Sequence, residues 1–408
     1  MQGDEQRSRR LIIIIGDIQV VVQVGALLGC LFDDHSERLG ALSQLPCNAI
    51  LSEAMTIEKP TRYVIFGAGA IGCAIAGLLK RAGARVICVA RPAYTEALRK
   101  GIIINDNGEA LTVSVDAVST VRELSPEHED VAFITTKSQS TEAAVEELLA
   151  NYDQTLPVVC LQNGVRNEEI AARTFRTVYA GLVFFSAVQL EPSVIALPQG
   201  RSMAIGCYPS GIDHMARDLC AELTNAGFEA MASAHVMSMK WGKLVANLNN
   251  ATTTITGYWL EQAMSDPAMR RLMLAVREEG LRVLDAAGIA VEPPVNEPSP
   301  IRIREMTDKL KEPPKHAYDP SRLSRGPRTY SSMWQDLHLG RKAHEAEFLN
   351  GDIVALGVKF GIATPFNSTL LEMINRMFEE GLKPGLYSPD QLTDLIHSRI
   401  SAQTGQLS

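Results

Sequence analysis

An apolar run, Tyr63-Val-Ile-Phe66, stops at Gly67-Ala-Gly69-Ala-Ile-Gly72; residues 73–81 then read as a helix and residues 85–90 as a second apolar run. Strand, glycine turn, helix and strand in that order constrain this chain more than any other feature. They form the opening unit of a parallel, doubly wound α/β sheet. Each glycine has its own reason there. The first permits the tight turn, the second lets a pyrophosphate approach the backbone, and the third lets the helix pack on the strand. Free N–H groups at the helix start then meet the phosphates. A G-x-G-x-x-G run alone is a weak signal, and the flanking elements give it meaning. Gly67, Ala68, Gly69, Ala70, Ile71 and Gly72 are the candidate dinucleotide-binding residues.

The end of the second strand selects the dinucleotide. An Asp or Glu there would bind the ribose hydroxyls of NAD, but Val86-Ile-Cys-Val-Ala90 runs straight into Arg91. A guanidinium pairs bidentately with a 2′-phosphate, which points to NADP(H); the plain alternative is a solvated surface Arg. The missing acid also weighs against a methyltransferase. Two more strands follow. Val131-Ala-Phe-Ile-Thr135 ends in Thr136 and Lys137, and Val158-Val-Cys-Leu161 ends in Gln162-Asn163-Gly164. Ligands of open parallel sheets lie beyond the carboxyl ends of the strands, so topology puts Lys137 and Asn163 near a cofactor or substrate. A surface charge and a simple turn are the alternatives.

With 408 residues the chain has room for two or three domains. Its net charge of −8 argues against a nucleic-acid partner, which would need a broad basic face. Seven Cys form no C-x-x-C, which sets aside disulfide scaffolds and zinc ribbons and makes a reducing, cytoplasmic setting the expectation. The eight His include no H-x-x-x-H pair, and no metal site is expected.

Residues 1–60 do not conform to this pattern. An apolar segment, 11–32, follows Arg7, Arg9 and Arg10 in the manner of a signal peptide or membrane anchor. Asp17, Gln19 and Gln23 interrupt it. An unpaired Asp at mid-bilayer costs about 2.5–3.5 kcal/mol, and no A-x-A cleavage site follows cleanly. No membrane span is expected. Its β-branched residues, 12–15 and 20–22, suit a strand as well as a helix. The segment reads as a weakly ordered extension or a mis-assigned translation start, with Met55 the alternative first residue.

Beyond His235 the apolar period turns helical. Asp266-Pro267 has the form of an N-cap followed by Pro at the first helical position. Met269, Leu272, Met273, Val276, Val283, Leu284 and Ala287 follow at helical spacing with one gap at Gly280, and Gly288 marks the end. Residues 291–328 are rich in Pro, Arg and Lys and form a long connection. Connections of that length are functional or disordered; Arg322, Arg325 and Arg328 would face an anion or solvent.

The segment Met239-Lys-Trp-Gly-Lys243-Leu-Val-Ala-Asn247-Leu-Asn-Asn250 is the unusual one. Lys243, Asn247 and Asn250 stand at i, i+4 and i+7 and share a helix face, while Leu244, Val245 and Leu248 cover another. Asn is a poor helix former. A polar stripe facing a cleft, with an ammonium to donate a proton and amides to orient a substrate, explains its abundance; a solvent-exposed face is the alternative. Tyr330-Ser-Ser332-Met-Trp-Gln-Asp336 leads towards Glu345, and a Ser and a Glu near the Lys would complete a pocket. Ser332 also suits an N-cap with Gln335 as its capping-box partner.

Taken together, these residues resemble the ketopantoate reductase (2-dehydropantoate 2-reductase) family. The matching pieces are the glycine loop, Thr135-Thr-Lys137, Leu161-Gln-Asn-Gly164, Lys240-Trp-Gly-Lys-Leu-Val-Ala-Asn247, Ser331-Ser-Met-Trp-Gln-Asp336, Glu345-Ala-Glu-Phe-Leu-Asn-Gly351 and Gly361-Ile-Ala-Thr-Pro365, in family order. The resemblance implies an N-terminal Rossmann domain, residues 61–234, an all-helical C-terminal domain, residues 235–400, and an active site in the cleft between them. It implies NADPH-dependent reduction of 2-dehydropantoate to (R)-pantoate, in pantothenate biosynthesis. Carried over residue by residue, Lys243 matches the proton donor, with Lys240 its rival, and Asn247 and Ser332 match substrate contacts. The glycine loop, Lys137, Asn163 and Ala187 match cofactor contacts, and Glu345 matches an acid near the nicotinamide. Asn250 joins the substrate contacts on the shared-face argument alone.

Two departures stand out. Where the family often has a second Asn, eight residues after the Lys, this chain has Ala251. The stretch from Asp336 to Glu345 is also one residue longer than usual, so Glu347 competes for the acid's role. A small 2-oxo acid other than 2-dehydropantoate is the first alternative substrate, and a non-catalytic NADPH-binding sensor or scaffold is the second. A homodimer is compatible with the sequence.

Overall fold

The computed structural model describes residues 10–15, 18–23, 61–106, 108–197, 200–293, 305 and 328–405. The chain divides into two compact units, Met1–Lys59 and Pro60–Ser408. In the first, β1 (Arg10–Ile15) and β2 (Ile18–Gln23) pair antiparallel, with Arg10 opposite Gln23 and Ile15 opposite Ile18. The β-branched runs have taken the strand alternative. Met55 lies outside the described residues, as do residues 294–304 and 306–327 of the long connection, with Arg322 and Arg325. Among the described residues no helix is long and apolar enough to cross a membrane.

The second unit is built on β3 (Arg62–Phe66), whose residues from Tyr63 on are buried. The chain passes through α1 (Ala70–Arg81) to β4 (Arg85–Val89), which pairs parallel with β3. It continues through α2 (Pro92–Leu98), the hairpin of β5 (Ile102–Asp106) and β6 (Glu109–Val113), and β7 (Asp116–Val118), which lies outside β4. The chain then returns to the other side of β3. There β8 (Asp130–Ile134), α3 (Thr141–Leu149), β9 (Val158–Cys160), α4 (Asn167–Ala172) and β10 (Val178–Phe184) extend the parallel sheet. This reversal at β3 opens the crevice in which open α/β sheets bind ligands.

Register does the rest. Phe66 lies opposite both Val89 and Ile134, and Ile134 and Ala180 both lie opposite Cys160. The strand ends are level, so the loops after them gather on one edge. Both faces of the sheet are covered. Tyr63 and Ile65 pack with Leu78, Leu79 and Leu219 on one side, while Val64 and Phe66 pack with Val145, Leu148 and Ala171 on the other. This is the period-two alternation of a strand buried on both faces.

Two features were not legible in the sequence pattern. Past β10 the sheet becomes mixed: β13 (Ser202–Cys207) pairs antiparallel with β10, and β14 (Glu229–Ala232) follows α5 (His214–Asn225) and pairs parallel with β13. Also, β11 (Val188–Glu191) and β12 (Val194–Leu197) join β5 and β6 in a separate four-stranded sheet. That sheet packs on α1 at Gly77, where a Cβ would come within 2.6 Å of the Ile104 Cδ1.

From α6 (Val236–Asn247) onward every described element is helical: α7 (Asn249–Thr256), α8 (Leu260–Ser265), α9 (Pro267–Ala286), α10 (Ser332–His338), α11 (Asn350–Phe360), α12 (Pro365–Glu380) and α13 (Pro389–Gly405). Their apolar faces share one core, which includes Leu244, Leu248, Leu272, Val276, Ile353 and Leu370. The Asp266 carboxylate caps α9, accepting from Ala268 N at 2.8 Å and Met269 N at 3.4 Å. The fold is therefore α/β, with a Rossmann-type doubly wound sheet followed by an all-helical region.

Candidate active site

The turn after β3 is shaped by two glycines and left open by a third. Gly67 takes a φ of +109°, and a Cβ there would stand 2.8 Å from the Thr136 backbone N. At Gly72 a Cβ would stand 2.0 Å from the Gly67 carbonyl oxygen, so only glycine lets α1 start this close to the turn. At Gly69 a Cβ would meet nothing within 4 Å. Gly69 is the N-cap of α1 and supplies no capping side chain, which leaves the first N–H groups of the helix without one. Helix α1 thus begins at Ala70, inside the glycine motif, three residues before the apolar pattern alone suggests.

The surroundings hold this turn rigid. Thr135 Oγ1 donates to the Gly67 carbonyl at 2.6 Å, Gln189 Nε2 donates to the Ala68 carbonyl at 3.3 Å, and half-buried Ile71 packs on the sheet core. The buried Thr136 Oγ1 beside it has no partner within the protein. Open space over Gly69, unspent backbone donors and an orphaned hydroxyl together suit a dinucleotide pyrophosphate. Ala187, between β10 and β11, packs half-buried on the same core as Ile71, two residues before Gln189.

The other predicted cofactor contacts follow the next strands. Arg91 is exposed at the N-cap of α2, with its guanidinium 5.0 Å from the Tyr94 ring centre. Lys137, after β8, is ion-paired with buried Asp336 of α10; Asp336 also takes Arg341 at 2.8 Å. Asn163, after β9, donates from Nδ2 to Glu345 Oε2 at 3.3 Å. Its carbonyl accepts from Ser138 Oγ and Asn167 Nδ2, each at 2.7 Å, which fixes the backbone that carries the amide.

Lys243 stands on the wall of an open pocket that is also lined by Gln162, Asn163, Gly181, Lys240 and Asn247. It projects from α6 towards β10, where its ammonium donates to the Val183 carbonyl at 2.5 Å. The side chain is partly open to solvent through the pocket, yet burial of the amine lowers its pKa from the usual lysine range to about 8. The neighbouring Lys240 charge pushes in the same direction, and Glu345 pulls the other way. Lys240, the rival proton donor, is buried and ion-paired with fully buried Glu168.

Of the two competing carboxylates, Glu345 reaches Asn163 and acts electrostatically on Lys243. Glu347 is exposed and accepts from Asn375 Nδ2 at 3.0 Å.

Two expected neighbours do not join the pocket. Helix α6 passes to α7 through Leu248, whose backbone stays helical (φ −53°, ψ −31°). Asn247 lines the pocket and Asn250, further along, does not. Leu248 sits at the junction, its carbonyl taken by Asn350 Nδ2 at 3.2 Å. Ser332 is exposed on the first turn of α10. The capping role falls instead to Ser331, whose Oγ accepts from Trp334 N at 3.3 Å and from Thr253 Oγ1 at 3.1 Å. Gln335 turns its amide to the Tyr330 carbonyl at 3.0 Å rather than closing a capping box. Gln162 and the Val183 carbonyl were missed by sequence reasoning. Gln162 sits in the strand-end turn that supplied Asn163, whereas the carbonyl carries no side-chain signal.

Residues 63–210 match the family described as ketopantoate reductase PanE/ApbA, and residues 235–378 match the C-terminal part of the same family. A 2-dehydropantoate 2-reductase of Archaeoglobus fulgidus is 32% identical over 324 residues, which cover 79% of this chain and 99% of that protein. The chain belongs to the ketopantoate reductase family. Among solved structures, the PanE/ApbA family ketopantoate reductase of Ralstonia eutropha JMP134 superposes with a TM-score of 0.66 at 26% identity, covering 79% of this chain and 99% of that one. A D-mandelate dehydrogenase, in complex with NADH and anilino(oxo)acetate, shares the fold with a TM-score of 0.66 at 21% identity and the same coverage. The protein is therefore an oxidoreductase of the 2-dehydropantoate 2-reductase type. The glycine turn fits the nicotinamide dinucleotide that such an enzyme uses.

Proposed function

We propose that this protein reduces 2-dehydropantoate to (R)-pantoate with NADPH, and that Lys243 is the proton donor. The observation that carries the reading is the Lys243 ammonium, held by the Val183 carbonyl on the wall of a pocket that also contains Asn163 and Asn247. The reduced nicotinamide supplies a hydride to the keto carbon. Negative charge then develops on the keto oxygen, where an ammonium both stabilises it and yields its proton. As the new O–H bond forms, one Lys243 N–H bond breaks, and the neutral amine regains a proton from solvent. A pKa of about 8 suits that task, because the amine is charged at neutral pH yet releases a proton more readily than an ordinary lysine. Glu345 opposes premature loss of that charge and orients the Asn163 amide. Asn163 and Asn247 would hold the substrate in line, a contribution worth several kcal/mol in rate.

Arg91 supports NADPH over NADH, since it follows β4 with no acid before it and its exposed guanidinium is available to a 2′-phosphate. Reduction of another small 2-oxo acid is the second reading. It is favoured by Ala251, which is fully buried where the family pattern often has a second Asn. One assay separates the two: NADPH oxidation against a panel of 2-oxo acids that includes 2-dehydropantoate, repeated with NADH. The expected result is the highest kcat/KM for 2-dehydropantoate with NADPH. Preference for a different 2-oxo acid would establish the second reading, and preference for NADH would remove the role given to Arg91.

A further inference from the structure

A second lysine lies one helical turn before Lys243, and the reaction as proposed gives it nothing to do. Lys240 is 3% exposed, lines the same pocket, and is ion-paired with Glu168, which is 0% exposed on α4. Burying an ion pair is not a cheap way to stabilise a fold; an apolar pair of similar volume serves as well or better. A buried pair beside a reacting group therefore calls for another explanation.

We propose that Lys240, pinned by Glu168, is a positioning residue that acts through Lys243: its charge, fixed on the pocket wall, tunes how readily Lys243 gives up its proton. The inference rests on reading Lys243 as the acid. Placing a second cation close to a lysine is a known physical route to a more acidic ammonium. Helix α6 supplies the spacing, since residues three apart share a face. Glu168 supplies the anchor. Without it a buried ammonium would shed its proton or turn towards water, and its field at Lys243 would be lost.

The electrostatics agree with this geometry. Burial is the largest cause that lowers the Lys243 pKa, the Lys240 charge is the second, and Glu345 alone raises it. Strand β10 faces the amine with the uncharged Val183 carbonyl. Around the pair itself, the Cys160 thiol at the end of β9 feels both charges, and the Tyr208 hydroxyl feels Glu168 together with Glu169 and Arg173. Burial pushes that thiol well above its ordinary range, so it stays neutral. The second Glu168 oxygen, Oε2, is buried without a partner. Burial pushes the Glu168 carboxyl up, and its ion pair with Lys240 opposes that rise.

The test is a titration of Lys243 in the full-length protein, read from the Cε resonance of 13C-labelled lysine, in wild type, Lys240→Met and Lys240→Arg. The pH dependence of kcat/KM is measured on the same proteins. Lys240→Met leaves Glu168 without its partner, so the double variant Lys240→Met/Glu168→Gln, which removes both charges together, answers the same question if the single variant does not fold. Loss of the Lys240 charge is expected to raise the Lys243 midpoint by at least about half a pH unit. The alkaline limb of the rate profile should move up with it, and Lys240→Arg should restore the wild-type position. An unmoved midpoint overturns the inference and leaves Lys243 as the proton donor. A midpoint that moves equally in Lys240→Met and Lys240→Arg assigns the effect to shape rather than charge, and also overturns it. A midpoint that moves while the rate profile stays fixed overturns both the inference and the role of Lys243 as the acid.

Discussion

The glycine turn after β3 and the pocket beneath α6 are built by opposite means. In the turn, three glycines within six residues expose backbone, and the titratable group bonded to it, the Cys73 thiol donating to the Ala68 carbonyl at 3.4 Å, is kept neutral by burial. The pocket brings together Asn163, Lys240, Lys243 and, through Asn163, Glu345, drawn from three distant stretches of chain. A site made of backbone is sensitive to the size of a single atom and nearly indifferent to pH. A site made of opposed charges tolerates changes of shape better and responds to every neighbouring proton. The cofactor half thus resists change by sterics, and the catalytic half sets its chemistry by electrostatics.

This contrast is open to direct attack, beginning with the largest effect. Lys243→Ala should lower kcat by about 10²–10⁴-fold, the usual worth of a general acid, while NADPH still binds with little change in Kd by fluorescence titration. Equal losses in both would mean that the two halves are not separable. Gly72→Ala should do the reverse and break the backbone half. Its Cβ would lie 2.0 Å from the Gly67 carbonyl, and that overlap is relieved only by moving α1 or the turn. A stability loss of at least about 3 kcal/mol in urea unfolding is expected, and an unchanged midpoint would contradict the geometry.

Charge effects should appear as pH dependence, and Asp352 gives a case outside the pocket. It is buried, ion-paired with Arg166, and its pKa is raised to about 6, mainly by burial, with Arg166 opposing and Glu347 adding to the rise. A carboxyl whose folded pKa lies above its unfolded value contributes stability that is complete below the unfolded pKa. That contribution is lost as pH rises through about 6. Relative to Asp352→Asn, the wild type should therefore lose about 2–3 kcal/mol of stability between pH 4 and pH 7. A difference that stays flat across that range would show the carboxylate to be well solvated. The smallest effect belongs to Gly69→Ala. Nothing lies within 4 Å of its Cβ, so folding should be unaffected. The methyl would occupy the space left for the pyrophosphate, and NADPH should bind about tenfold more weakly, or about 1.4 kcal/mol. Normal binding by this variant would move the phosphates elsewhere.

The same contrast explains what could be read in advance. Gly67, crowded by Thr136 across 69 positions, is marked by the motif alone. Gly72 is crowded chiefly by the Gly67 carbonyl five residues before it, and the Asp266 cap reaches only to Ala268 and Met269. Such local causes leave marks in sequence. The pocket's causes are distant. Asn163 meets Glu345 across 182 positions, and the Leu248 carbonyl is taken by Asn350 across 102. Gly280 brings α9 against the same leucine, with a would-be Cβ 2.7 Å from its Cδ1. Helical periodicity through Leu244, Val245 and Leu248 puts Asn250 on the face of Lys243 and Asn247, but which of the three borders the pocket depends on what packs against that face: Asn247 does and Asn250 does not. Ser331 and Ser332 are adjacent and chemically identical. The choice between them as cap rests on Thr253, 78 positions away, which no local rule reveals.

The proposed role of Lys243 requires its amine to face the reacting carbonyl. A crystal structure of the ternary complex with NADP⁺ and an unreactive 2-oxo acid tests that placement. The Lys243 Nζ is expected at hydrogen-bond distance, about 2.6–3.2 Å, from the keto oxygen, with the nicotinamide ring on the other side of the carbonyl carbon. An amine still bound to the Val183 carbonyl and turned away from the bound acid, with another side chain on the keto oxygen, would contradict it.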